Sequence, residues 1–173
     1  MRIRKVRSDE WRRWREVRLR MLRDDATFFS TRYDDMVREP DELWRAWVAE
    51  AEDGLRKTLF VAESDEGQWL GVVGAFVRVD PSEVHLISMW VDPEARGLGV
   101  ARALIRAVGE WAQVRGATTV LLFVQEANGP ARALYERAGF VATGDRAPIG
   151  TGRVGFKLLL KADVAALVAP AGR

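Results

Sequence analysis

The sequence predicts one α/β domain of the α+β kind, built on a central mixed, mostly antiparallel sheet. Short connections join three consecutive strands between residues 58 and 91, which predicts an antiparallel meander. A helix and another apolar strand follow, and such a crossover pairs strands in parallel. The chain has 173 residues, 48% of them hydrophobic, enough for one sizeable core. Its periodicity gives about seven strands flanked by about four helices.

The N-terminal residues predict an edge strand and two helices. Residues 3–7 form the strand, and Ser8 with the acids after it caps a helix from Trp11 to about Arg23. Apolar residues recur along one side of this helix, and five arginines between them predict a solvated face: Arg12, Arg13, Arg15, Arg18 and Arg20. A second helix spans 41–53 and ends at Gly54.

The segment between these helices, residues 24–39, carries the aromatic stretch T-F-F-S-T-R-Y. Aromatic side chains in a loop have two interpretations, core packing or contact with a substrate. Both remain open from the sequence.

The middle of the chain predicts strands at 58–63, 69–79 and 84–91, the first two joined by an Asp-Glu-Gly turn. An amphipathic helix over 98–115 leads to an apolar strand at 120–124. These two elements supply the crossover that pairs two strands in parallel.

The C-terminal part predicts a helix between Pro130 and Gly139, residues typical of a helix start and a helix end. Two closing strands, 140–143 and 154–160, are separated by a loop rich in Gly, Arg and Pro. The domain is therefore expected to cover residues 1–161, and 162–173 to form a poorly packed tail.

The most informative stretch is V-D-P-E-A-R-G-L-G-V-A-R-A, residues 91–103. Gly97 and Gly99 allow close backbone approach and positive φ, and the helix that follows begins with amides that lack intrahelical partners. Such amides favour phosphate, although the glycines could also form a plain strand-to-helix turn. The dinucleotide pattern is excluded because Arg102 stands where its third glycine belongs, and a P-loop is excluded because no Gly-Lys pair occurs.

This stretch resembles the acetyl-CoA loop of the GNAT N-acetyltransferase superfamily, [QR]-x-x-G-x-[GA], through Arg96, Gly99 and Ala101. A second family motif, N-x-x-A-x-x-L-Y-x-x-x-G-F, is met from Asn128 to Phe140. Two motifs in the right order and at the right distance are more specific than either alone. The resemblance spans residues 57–161.

The resemblance implies acetyl-CoA as co-substrate, bound where the two central strands splay apart. It assigns main-chain groups of Met89, Trp90 and Val91 to the thioester and pantetheine. The pyrophosphate is expected on Arg96, Gly97, Leu98, Gly99, Val100 and Ala101. Asn128 would cap its helix and hydrogen-bond the cofactor. No metal is implied.

By the same resemblance, Tyr135 lies at the general-acid position and would protonate the departing thiolate. Tyr135 follows Asn128 by seven residues, so a helix brings both to one face. A tyrosine at this spacing also suits a plain core position.

The general base is less defined. Some family members carry a Glu five residues before the motif's Asn, but Phe123 stands there, which counts against a peptide-terminus substrate. Other members place a Glu where this chain has His85, which faces the same side as Val91 if no bulge intervenes. Glu83, Glu126 and the absence of a dedicated base remain alternatives.

The sequence thus predicts direct acetyl transfer to a primary amine, most simply of a small molecule. Protein-lysine acetylation and a non-catalytic acyl-CoA-binding module are the alternatives. Specificity is expected from residues 24–39 and 145–153. Zero cysteines exclude a thiolate nucleophile or metal site, and one His makes a histidine metal site implausible.

The composition also limits the classes of binding partner that we expect. A net charge of +2 does not indicate nucleic acid. Neither a leader-like apolar segment nor 18 consecutive apolar residues occur, so we expect a cytoplasmic protein without a membrane partner. Family members commonly form dimers, which makes a homodimer an expectation, but no pattern fixes an interface.

Overall fold

The computed structural model describes residues 1–150 and 153–169 and contains the predicted mixed sheet. Seven strands lie in the order β1-β2-β3-β4-β5-β7-β6, and only β4 and β5 pair in parallel. The strands are β1 Arg2–Lys5, β2 Lys57–Glu63, β3 Trp69–Val77, β4 Glu83–Val91, β5 Thr119–Gln125, β6 Val141–Pro148 and β7 Phe156–Asp163.

Helices cover both faces of the sheet. They are α1 Trp11–Asp24, α2 Tyr33–Met36, α3 Asp41–Asp53, α4 Val100–Val114, α5 Gly129–Arg137 and α6 Val164–Val168. One core cluster packs α1 and α3 on one face, and the other packs α4, α5 and α6 on the opposite face. The four predicted helices are present, and α2 and α6 were not predicted. In the described part of the chain no helix is both long and apolar enough to cross a membrane.

The two central strands separate after a short parallel contact, as the resemblance implied. β4 and β5 pair only at Glu83 with Thr119, Val84 with Val120 and His85 with Leu121. Beyond these pairs β4 continues to Val91 and β5 to Gln125 without further pairing to each other. Their facing edges therefore open a gap through the middle of the sheet.

A β-bulge lies in β4. Trp90 pairs with Val72 and Ile87 with Gly74, so β4 uses one more residue than β3 over this interval. The extra residue lies at Ser88 or Met89, and Ser88 has a φ of 53°. Because side chains alternate along a strand, the extra residue reverses which face the following side chains occupy.

The C-terminal expectations need correction. β6 runs to Pro148 and occupies half of the expected loop. β7 runs to Asp163, and α6 follows it with Val164 and Leu167 buried against the core around α4. The expected poorly packed tail is therefore wrong for 162–168. The rest of that tail from 170 on, and 151–152 of the expected loop, lie outside the described residues.

Candidate active site

A cleft of about 1090 Å³ passes through the gap between β4 and β5. Val100 and Tyr135 line it from the face that carries α4, while Trp47, Phe76 and His85 line it from the face that carries α1 and α3. The cleft thus joins the two faces of the sheet. We call its α4 side the turn end and its α1 side the helix end.

At the turn end, the glycine turn has the geometry that the sequence predicted. Gly97 and Gly99 have φ of 82° and 79°, and a Cβ built on either glycine would meet no atom within 4 Å. The first intrahelical bond of α4 runs from the Ala103 amide to the Gly99 carbonyl at 3.1 Å. The amides of Arg96 and Leu98 donate to the carbonyls of Pro93 and Ala95. Those of Val100, Ala101 and Arg102 precede the first intrahelical bond and are available to a ligand, and a phosphate group fits such donors.

The Arg96 side chain is fixed by α1. Its Nη2 donates to Asp25 Oδ2 at 3.1 Å, and its Nε donates to the Val91 carbonyl at 3.2 Å. Trp90 Nε1 donates to the same Asp25 oxygen at 3.1 Å. Asp25 thus ties the end of α1 to the last residues of β4 and to the glycine turn.

The end of β4 also borders the cleft. Met89 lies at the bulge, has no register partner on β3 or β5, and lines the cleft. The Val91 carbonyl already accepts from Arg96. Ten of the eleven residues predicted to bind the cofactor line the cleft; the exception is Leu98, whose side chain is 70% exposed.

Asn128 and Tyr135 occupy α5 as the motif predicts. The Asn128 side chain caps the helix by accepting from the Ala131 amide at 3.1 Å. The Tyr135 ring is buried edge-on against Phe140, with 5.6 Å between ring centroids, and lines the cleft. Burial raises the pKa of the Tyr135 phenol above its usual range, so the phenol keeps its proton at neutral pH.

His85 lies at the helix end, stacked on Phe76 with ring centroids 5.3 Å apart. A bulge does intervene in β4, so His85 shares a face with Trp90 and not with Val91, and the condition for the expected common face is not met. Burial, helped by the positive charge of Arg78, lowers the pKa of the His85 imidazole, which is therefore neutral at pH 7. Of the alternative bases, neither Glu83 nor Glu126 lines the cleft.

The two segments expected to set specificity meet at the helix end. Phe28, Phe29, Ser30 and Thr31 line the cleft, which favours the substrate-contact interpretation, and Phe29 also packs on the core around α1. Arg153 donates to the carbonyls of Ala26 at 2.7 Å, Thr27 at 3.3 Å and Phe29. The Arg153 side chain thus connects the loop after β6 to residues 24–39, which we call the aromatic loop.

Sequence reasoning missed several polar residues of the cleft. Arg102, just after the glycine turn, and Arg137, at the end of α5, line the cleft and add positive charge to it. Gln125 at the end of β5 is buried, and its Nε2 has no acceptor among the described residues. Arg18 was expected on a solvated face, but its side chain is only 6% exposed and lines the helix end. Arg102 directly follows the predicted loop and could have been found. Arg18 lies four residues after Trp14 and three before Met21, on the buried face of α1, so helical spacing was a signal for its burial.

Comparison with known proteins identifies the family. Residues 6–140 match the Acetyltransferase (GNAT) family. N-acetyltransferase 8B of Homo sapiens is 33% identical over 120 residues, which cover 66% of this chain and 51% of that protein. Mycothiol acetyltransferase of Thermomonospora curvata is 42% identical over 83 residues, which cover 47% of this chain and 27% of that protein. The chain therefore spans about half or less of the length of these relatives.

A solved structure shows the same fold. The spermidine N-acetyltransferase from Vibrio cholerae, in complex with CoA and spermine, superposes with a TM-score of 0.76. It is 16% identical, and the match covers 97% of this chain and 98% of that chain. The family match over residues 6–140 and this shared fold agree with both sequence motifs and with the splayed strands, and the chain belongs to the GNAT acetyltransferase family.

Proposed function

We propose that this chain transfers the acetyl group of acetyl-CoA to a primary amine, by direct attack in a ternary complex. The observation that carries the proposal is the cleft through the sheet, which joins the glycine turn on one face to a neutral imidazole on the other. A cofactor held at the turn end and an amine entering at the helix end would meet between the splayed strands.

Each end supplies part of the chemistry. The amides at the start of α4, with the side chains of Arg102 and Arg137, would hold the pyrophosphate, and the main chain around Met89 would contact pantetheine. The substrate amine forms a C–N bond to the acetyl carbonyl as the C–S bond breaks. His85 accepts the amine proton, directly or through a water, and Tyr135 donates its phenol proton to the leaving sulfur. The products are an amide and a thiol; His85 then releases its proton to solvent, and Tyr135 takes one up from solvent.

The walls at the helix end favour a small-molecule acceptor over a protein lysine. The lining rings come from three different elements of the chain: Phe28, Phe29, Trp47 and Phe76. Aromatic walls of this kind enclose a compact ligand, whereas a flexible lysine on a folded protein requires an open cleft mouth. The expected homodimer and the expected cytoplasmic setting remain predictions of the sequence.

Thiol release with a panel of primary amines tests the proposal. The chain contains no cysteine, so a thiol reagent reports only free CoA. We expect amine-dependent CoA release, with the acetylated amine identified by mass spectrometry. CoA binding without release with any amine in the panel would indicate the non-catalytic module, and acetylation confined to lysine-containing proteins would indicate the protein-directed alternative.

A further inference from the structure

Arg18 is a buried cation that faces the cleft without a partner. It lies on α1 and is 6% exposed. Its Nε and Nη1 are buried without a hydrogen-bond acceptor, and no carboxylate of the described residues lies within 4 Å of it. The rings of Phe29 and Trp47 lie 5.4 and 5.9 Å from its Cζ. Ring faces attract a cation but do not neutralise its charge.

This arrangement costs stability unless something else compensates it. An uncompensated buried charge is among the most expensive groups in a protein interior. Burial lowers the pKa of the Arg18 guanidinium to about 10, so it is still charged at neutral pH. The charge must therefore be tolerated for a reason other than folding.

The chain's own carboxylates in this region are already paired. Asp25 binds Arg96 at 3.1 Å, Asp24 binds Arg20 at 3.3 Å, and Glu50 binds Lys57 at 2.5 Å. None of them pairs with Arg18, so no carboxylate of the described part of the chain supplies its counter-charge. A ligand is the remaining source.

The position of Arg18 indicates which ligand brings that charge. Arg18 packs beside Trp47 and Phe29, on the sheet face that His85 and Phe76 share. The amides suited to the cofactor's pyrophosphate lie on the opposite face, at the start of α4. The anion that meets Arg18 therefore belongs to the acceptor.

We propose that the acceptor is a primary amine that also carries a carboxylate, and that the Arg18 guanidinium binds this carboxylate. The proposal rests on the proposed acetyl transfer. A planar guanidinium matches the two oxygens of a carboxylate, and one cation balances one negative charge. The aromatic walls suit an apolar body between the two groups.

Matched ligands and variants test the inference. L-phenylalanine and phenethylamine differ only in the carboxylate, and 3-phenylpropionate carries the carboxylate without the amine. In the full chain with CoA bound, we expect calorimetry to show 3-phenylpropionate binding, weakened about tenfold or more by Arg18→Met. We expect kcat/KM to favour L-phenylalanine by about tenfold or more, with the preference lost in Arg18→Met.

The controls separate binding from folding. Arg12→Met removes an exposed charge from the same helix and should behave as the wild type in both assays. Arg18→Met should melt at the same temperature as the wild type or higher, because a methionine fills the site without a buried charge. Arg18→Lys keeps the charge but not the planar fork and should recover only part of the preference.

Several outcomes overturn the inference. One is a kcat/KM preference for L-phenylalanine that persists in Arg18→Met. Another is equal kcat/KM for L-phenylalanine and phenethylamine, and a third is a preference for O-phosphoethanolamine over L-phenylalanine. In each of these cases acetyl transfer itself still stands. Conversely, 3-phenylpropionate binding that depends on Arg18, without CoA release from any amine, would support the anion site and contradict acetyl transfer.

Discussion

The two ends of the cleft recognise ligands by different means. At the turn end, the groups offered to a ligand are mostly backbone amides, held by two glycines at positive φ. At the helix end, they are side chains, with His85 and Arg18 set among aromatic rings. Backbone amides suit the pyrophosphate of the cofactor, which is the same in every reaction. Side chains can be substituted, so they can suit different acceptors. Substitutions at the two ends should therefore affect different kinetic constants.

The largest effect is expected from Tyr135, on the α4 face of the cleft. Tyr135→Phe removes one hydroxyl and leaves the packing on Phe140 intact, so kcat should fall about a hundredfold or more. CoA affinity should stay within about threefold. Single-turnover measurements are the appropriate readout, because a slow release step would hide the loss. Near-native turnover would assign Tyr135 to packing alone.

The turn end is tested by Gly99→Val. A valine at φ of 79° is strained and projects a side chain into the space available to the pyrophosphate, so CoA should bind about ten- to a hundredfold more weakly. Gly67→Val is the matched control, since Gly67 has φ of 82°, equally open space and a position in the β2–β3 turn. Both variants should lose similar stability in thermal melts. Equal CoA affinity in the two variants would contradict the proposed binding of the pyrophosphate at the glycine turn.

The helix end is tested by His85→Gln through its pH dependence. The lowered pKa keeps the imidazole neutral to a lower pH than usual, so the wild-type kcat/KM should lose activity on its acidic side only below about pH 6.5. As pH falls through that pKa, the base is protonated and the rate drops. His85→Gln should lower kcat/KM about tenfold and remove this acidic limb. An unchanged profile would indicate that another group, or none, accepts the proton.

The smallest effect is expected from Arg153→Ala. This change releases the aromatic loop from the segment after β6 by removing donors to three carbonyls. KM for the acceptor should rise about threefold, while CoA affinity stays the same, since no ligand contact at the turn end changes. Arg132→Ala, which removes one exposed bond to the Glu126 carbonyl, is the control. A loss of CoA affinity in Arg153→Ala would show that the ends are coupled.

Much of the fold could be predicted because its signals are local. The period of apolar residues gave all seven strands and four helices, and the glycine turn follows from residue types alone. The two motifs identified the family and the expected splay. Both motifs lie at the turn end or beside it, where backbone geometry restricts which residues fit.

The helix end was less predictable because it depends on contacts distant in sequence. Arg18 has the helical spacing of the buried face of α1, but its charge predicted a solvated position. Its surroundings include Phe29 and Trp47, which are distant in sequence. The burial of α6 depends on Gly109, where an added Cβ would lie 2.9 Å from Leu167. The bulge at Ser88 carries no glycine that would have marked it.

The extra residue also divides β4 into two halves. In the half before Ser88 the odd-numbered side chains face α1, and in the half after it the even-numbered ones do. Deletion of Ser88 would restore continuous alternation while Trp90 stays opposite Val72, so Trp90 would still face α1 and Val91 would still face α4. The fold therefore tolerates this strand with or without the extra residue. An alignment with an unbulged strand that omits a one-residue gap here would place every residue beyond it on the wrong face of the sheet.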